Sequence, residues 1–210
     1  MLRFLYMNKQ SRVILIFGFS GSGKSTLANR LGKRYGLRVI HPSGIIRDIL
    51  AKKKIDTSNT KYGKGFWESK KGVALFISRL KEQIPVDMVV DRILLKEIKK
   101  GNVVIDTWNM PWLTKKGIRI YLKAPRSIRA ERVSQRSTIT LQRAQKIVAL
   151  KDKETRKLFK RMYGFDIKKD HVDVFDKVID TTHLTAQQVF QKADSVLTLN
   201  GFKPKQSNKN

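Results

Sequence analysis

The chain has 210 residues, with 45 lysines and arginines against 17 acids for a formal charge of +28, and it contains no cysteine. That length fits one domain, and the missing cysteines exclude disulfides, thiolate catalysis and zinc–cysteine sites. No apolar run approaches the roughly 20 residues of a membrane span, and the opening MLRFLYMNKQSR, in which Met7 offers a second start, lacks the apolar core and cleavage site of a signal peptide.

A cytoplasmic monomer is therefore expected. The charge has two readings: a polyanionic partner such as RNA, or a lysine-rich solvated surface, because the basic residues are spread along the whole chain.

In chain order, Val13–Phe17 predicts a strand and Lys24–Tyr35 a helix, with Leu27 and Leu31 at i, i+4. Leu37–Ile40 is a second strand and Gly44–Lys53 a second helix. Ile55–Gly72 breaks the alternation. It is polar and basic, carries Tyr62, Phe66 and Trp67, and predicts a mobile loop or insert. Helices Val73–Lys81 and Val86–Lys100 precede a third strand, Val103–Ile105. A fourth strand, Ile118–Leu122, is followed by helices Ser127–Arg136 and Thr140–Met162. After a fifth strand, Lys177–Asp180, comes helix Thr185–Leu197, where Thr185 and Gln188 fit a capping box. From Gly201 the chain predicts a disordered basic tail. Strands alternating with helices argue for an α/β fold, a parallel sheet covered on both faces.

Residues Gly18 to Ser25 read GFSGSGKS and match G-x-x-x-x-G-K-[ST], between a strand and a helix as the motif requires. The glycines Gly18, Gly21 and Gly23, with Phe19, Ser20 and Ser22, let backbone N–H groups turn toward an anion at a helix N-terminus. Lys24 then reaches the β- and γ-phosphates of ATP, Ser25 ligands Mg2+, and Thr26 continues the site. Asp106 ends the third strand, where ligands of such sheets bind; it reads either as a second metal ligand, directly or through water, or as an ordinary acidic residue at a strand end, and the phosphate loop in the same chain favours the metal role.

Arg126, Arg129, Arg132 and Arg136 follow the fourth strand at spacings of three, three and four, on one arc of a helix. They fit either a solvated basic face or a lid whose cations close over a moving phosphoryl group. The lid reading makes Arg129, Arg132 and Arg136 catalytic, beside Lys24.

Together these residues resemble the nucleoside monophosphate kinases, specifically the archaeal-type cytidylate kinases, from about Val13 to Leu197. IYLKAPRSIRAERVSQR is similar to the family's WLKAP…VRAERIAKR, and Tyr163, Gly164, Phe165 and Asp166 to its Tyr-Gly-x-Asp turn before a strand ending VI-[ND]-T. The resemblance implies a P-loop NTPase three-layer α/β/α fold of strand order 2-3-1-4-5. It implies one domain over residues 1–200, with an acceptor-binding region at about 41–100 and a lid at about 124–162. Thr181 would lie near the adenine; Ser43, Gly44 and Arg47, in PSGIIRDILA, would contact the acceptor phosphate. Asp87 and Asp91 remain of the family's D-R-x-[IL]-D, but Met88 takes the arginine's place; after the third strand Thr107 and Trp108 replace a Gly-Arg pair. Trp108, with Trp112, Phe66 and Trp67, either forms an aromatic pocket for a base or packs the core.

The implied activity is ATP- and Mg2+-dependent phosphorylation of a nucleoside monophosphate, CMP or dCMP first. An RNA-directed P-loop kinase or ATPase, suggested by the charge and the basic Lys61–Lys71 stretch, is the alternative from another class. A member that binds nucleotide without turnover is the third reading.

Overall fold

The computed structural model describes residues 12–52, 65–78, 85–167 and 173–206. Its centre is β1, Val13–Phe17, an unbroken apolar run buried at every position, as a strand covered on both faces must be. Among the described residues the strands form one parallel sheet of order β2-β3-β1-β4-β5, with β2 Arg38–Ile40, β3 Val103–Thr107, β4 Ile118–Lys123 and β5 Lys177–Asp180. The expected strand order is the observed one.

The two-residue side-chain period of β1 separates two cores. Ile14 and Ile16 pack with Leu27 and Leu31 of α1, Lys24–Tyr35, and with Val189 and Leu197 of α8, Ala186–Leu199. Val13 and Leu15 pack on the other face with Ile46 of α2, Pro42–Lys52, and with Val90, Leu94 and Ile98 of α4, Val86–Lys100. Helix α3 spans Lys70–Ser78 and a short α5 spans Met110–Leu113. Helices α6, Arg126–Ser137, and α7, Leu141–Tyr163, pack together through Ala130, Val133, Ala144 and Val148, small side chains that bring the two helices close. The Thr185–Gln188 capping box is present at the start of α8.

Two expectations are corrected. Gly65 to Gly72 is not loop: Phe66–Glu68 forms a 3-10 turn and Lys70 opens α3, because Phe66 is buried in the core and Ser69 caps the following turn through its hydroxyl. A Cβ on Gly72 would meet Phe66 O at 2.0 Å, so this turn requires glycine there. Residues 53–64, including Tyr62 and most of the expected basic loop, lie outside the described residues. The tail is docked as far as Lys205: Phe202 is buried edge-on to Tyr35, and Lys205 N donates to Arg34 O. Residues 207–210, and Met7 at the other end, lie outside the description. No described helix is long and apolar enough to cross a membrane.

Candidate active site

The register of β1 against β3 pairs Ile16 with Asp106 and Phe17 with Thr107, so the last residues of β3 stand beside the loop that leaves β1. That loop curls into the start of α1 through left-handed glycines, Gly21 at φ 83° and Gly23 at φ 96°. A Cβ on Gly21 would lie 2.4 Å from Arg129 O, whereas one on Gly23 would meet nothing within 4 Å. Gly21 is thus pressed against α6, while Gly23 faces open space, as a cradle for an anion requires. The loop opens on a cleft of about 1000 Å³, the upper end for a small-molecule site and roomy enough for donor and acceptor together.

Ser20 to Thr26 line this cleft; Gly18 and Phe19 are not among its lining residues. Lys24 Nζ donates to Phe19 O at 3.3 Å and sits 4.8 Å from the centre of the Trp108 ring. Burial lowers Lys24 from 10.5 to about 8 against the pull of Asp106, with Arg129 and Arg136 adding to the decrease. The ammonium is therefore poised for an anionic partner that would restore its charge.

Ser25 Oγ donates to Asp106 Oδ2, and His41 Nδ1 lies 2.9 Å from the same oxygen. His41 Nε2 reaches Asn29 Oδ1 at 3.0 Å. The Asp106 bond raises His41 above its ordinary value against partial burial. Ser25 and Asp106 together offer hard oxygen donors beside the phosphate cradle. That fits Mg2+, which is commonly held by one or two protein oxygens, with water and phosphate completing its shell. Among the described residues no cluster of three or more His, Cys, Asp or Glu offers a closed metal cage. His41 was missed by the sequence analysis. Its signal was its place at the carboxyl end of β2, next to β3.

The arginine face divides. Arg129 is 5% exposed and donates to Asp152 Oδ1 at 3.0 Å and Oδ2 at 2.6 Å, to Ser20 O at 3.1 Å and to Ala124 O at 3.2 Å. Its guanidinium is engaged by these partners and holds α6 and α7 against the phosphate loop. Arg126 is exposed and lies 3.7 Å from Asp152. Arg132 lines the cleft and donates to Thr181 Oγ1 at 2.9 Å and Thr181 O, tying α6 to the end of β5 where the adenine was expected. Arg136 also lines the cleft, paired with Glu68 at 3.2 Å.

On the opposite side, Ser43, Arg47, Asp87, Asp91 and Trp108 all face the same cleft; Gly44 is beside Arg47. Asp91 Oδ2 accepts from Asn109 Nδ2 and from Tyr163 OH, each at 2.6 Å. Burial and that bond push the Tyr163 phenol above its usual value. The four aromatic candidates separate. Trp112 stacks on Phe165 and meets Phe17 edge-on within a core cluster, whereas Trp108, packed against the same cluster, also borders the cleft, as do Phe66 and Trp67 from the opposite core. Lys151 and Thr155, one turn apart on α7, complete the wall and were also missed, since nothing local in the sequence turns that face inward.

A parallel sheet of this order with a phosphate loop between β1 and α1 defines the P-loop kinase fold. Shikimate kinase from Bacteroides thetaiotaomicron shares it, with a TM-score of 0.53, 12% identity and coverage of 89% of this chain and 98% of that one. The sequence model of the Cytidylate kinase-like family matches residues 13–183, and the chain belongs to that family. It is similar to the cytidylate kinases of Pyrococcus horikoshii, 31% identical over 185 residues covering 88% of this chain and 87% of that one, and Thermococcus kodakarensis, 32% identical with 88% and 86% covered. As a member of this family it is a nucleoside monophosphate kinase.

Proposed function

We propose that the protein transfers the γ-phosphoryl group of ATP to CMP or dCMP. An oxygen of the acceptor's phosphate attacks the γ-phosphorus, the bond to the β-γ bridging oxygen breaks, and ADP leaves with CDP or dCDP as the second product. The acceptor is already an anion, so positioning and charge stabilisation carry the catalysis, not a general base. Lys24 holds the β- and γ-phosphate oxygens, and the cradle around Gly23 fixes the donor. Arg132 and Arg136 face the moving group from α6. Ser25 and Asp106 would hold Mg2+, which when bound neutralises charge on the phosphate oxygens.

The observation that carries the choice of base is the pair of carboxylates, Asp87 and Asp91, on the acceptor side of the cleft. Ionised carboxylates only accept hydrogen bonds. They suit an exocyclic amine, as cytosine carries, and oppose the carbonyl that uracil presents at that position; the preference for cytosine over the purines rests on the similarity to cytidylate kinases. The acceptor phosphate falls to Ser43, Gly44 and Arg47, and Trp108 borders the base. The test is steady-state kinetics with ATP and Mg2+ against CMP, dCMP, UMP, AMP, GMP and a short 5′-hydroxyl RNA. Turnover with CMP and dCMP well above UMP is expected; turnover confined to RNA would replace this reading with the RNA-directed one suggested by the +28 charge.

Thr155 gives a second check. It is 2% exposed, lines the cleft, and its Oγ1 has no hydrogen-bond partner among the described residues. A buried hydroxyl left this way is costly unless a ligand completes it. Thr155→Val, which keeps the shape, is expected to raise the CMP KM about tenfold with no loss of Tm. A raised Tm with unchanged KM would remove Thr155 from the acceptor site.

A further inference from the structure

Glu68 is a carboxylate only 3% exposed, at the end of the turn that leads into α3. Its Oε1 accepts from Lys151 Nζ at 2.6 Å and lies 3.2 Å from Arg136 Nη2. Its Oε2 accepts from Ser137 Oγ at 3.2 Å, and its backbone carbonyl accepts from Arg143 Nη2 at 3.2 Å. These four partners all come from α6 and α7. Gly65, at φ 102°, brings the turn against them, since even a Cβ there would be 3.5 Å from Ser137 Cβ. Burial alone would raise the Glu68 carboxyl, but Lys151, Arg136 and Ser137 outweigh it and hold it below the usual carboxylate range.

One acid thus gathers two cations, and both cations line the cleft that Lys24 enters. A buried ion pair is not a cheap source of stability, because desolvation offsets much of its attraction and an apolar replacement often serves as well. What this arrangement does provide is geometry. We propose that Glu68 is a positioning residue for phosphoryl transfer: it docks the α3 side of the cleft onto α6 and α7 and fixes Arg136 and Lys151 along the path of the transferred group. Closure of the acceptor side and placement of the cations then become one event. This explains why an acid from the acceptor segment, and not one from α6 or α7, holds Arg136.

The inference rests on the phosphotransfer reading, and the wild-type arm of its test judges that reading separately. Formation of CDP by the wild type supports the reading, and its absence overturns the reading before any variant is made. With the wild type active, Glu68→Gln is expected to lower kcat about ten- to a hundredfold and to raise the CMP KM, while the ATP Kd from calorimetry stays within about twofold. Glu68→Asp should recover part of kcat. Because Glu68→Gln also strands the Lys151 ammonium and could unfold the chain, the decisive comparison is made in a Lys151→Met background. There Glu68→Gln should still lower kcat about tenfold through Arg136 without lowering Tm. If Glu68→Gln leaves kcat and CMP KM unchanged in that background, Glu68 serves only to neutralise Lys151 and the proposal is overturned.

Discussion

Replacing Lys24 with methionine is expected to reduce kcat about a thousandfold, the scale on which a single preorganised charge at a reacting centre acts. The side chain is the cation placed where the phosphate loop turns into α1, with its Nζ already directed at the loop carbonyl of Phe19. The same substitution should raise Tm. Lys24 is lowered to about 8 by burial, so below that pH the folded state holds a charge that would be better hydrated in the unfolded chain. The penalty is present at neutral pH and fades as pH rises through the folded pKa, so the Tm gain of Lys24→Met should shrink above about pH 8. Steady-state kinetics and thermal unfolding across pH 6.5–9.5 check both halves. Near-wild-type kcat in a folded Lys24→Met protein would remove the central assignment of the site.

Asp152→Ala is expected to be the most destabilising single change outside the apolar core, at about 3–5 kcal/mol, because it leaves the Arg129 guanidinium buried without its carboxylate. For a chain of this length that is a fall in Tm of roughly 10 °C. The damage should reach the nucleotide. Arg129 also donates to Ser20 O and stands 5.3 Å from the centre of the Phe19 ring, so it connects α6 and α7 to the phosphate loop. Arg129→Met with Asp152→Leu removes both charges and should restore most of the Tm. ATP affinity, measured by calorimetry, should stay low in that double variant, because the loop carbonyl has lost its donor. Recovery of both would make the pair purely structural; a single Asp152→Ala change costing under about 1 kcal/mol would contradict its burial.

Local features were the legible ones. The VILIF run of β1, the GFSGSGKS loop and the Thr185 capping box each declare themselves within a few residues, and each stands where it was expected. Asp106 was legible as well, since a parallel sheet sends the carboxyl ends of its strands to one edge. The arginine face was legible only as a face. Spacing places Arg129, Arg132 and Arg136 on one side of α6, but which is buried depends on Asp152, 23 residues after Arg129 on another helix. The Glu68 cluster was illegible for the same reason. Its pairing with Lys151 spans 83 residues, and the surrounding GKGFWESKKG reads as a basic loop until Phe66 is seen in the core. The tail misled by composition: GFKPKQ is polar except for Phe202, and that one ring docks it on Tyr35.

If the proposed function holds, this cleft moves a phosphoryl group from ATP to a cytidine monophosphate. The most direct test is a single-turnover experiment with ATP labelled at the γ-phosphate, Mg2+ and excess CMP, quenched over time and separated by product. The label should pass from ATP into CDP with no accumulation as inorganic phosphate, and Lys24→Met should stop the transfer. Label recovered as inorganic phosphate at the same rate with and without CMP would contradict the account, because the cleft would then be delivering the phosphoryl group to water.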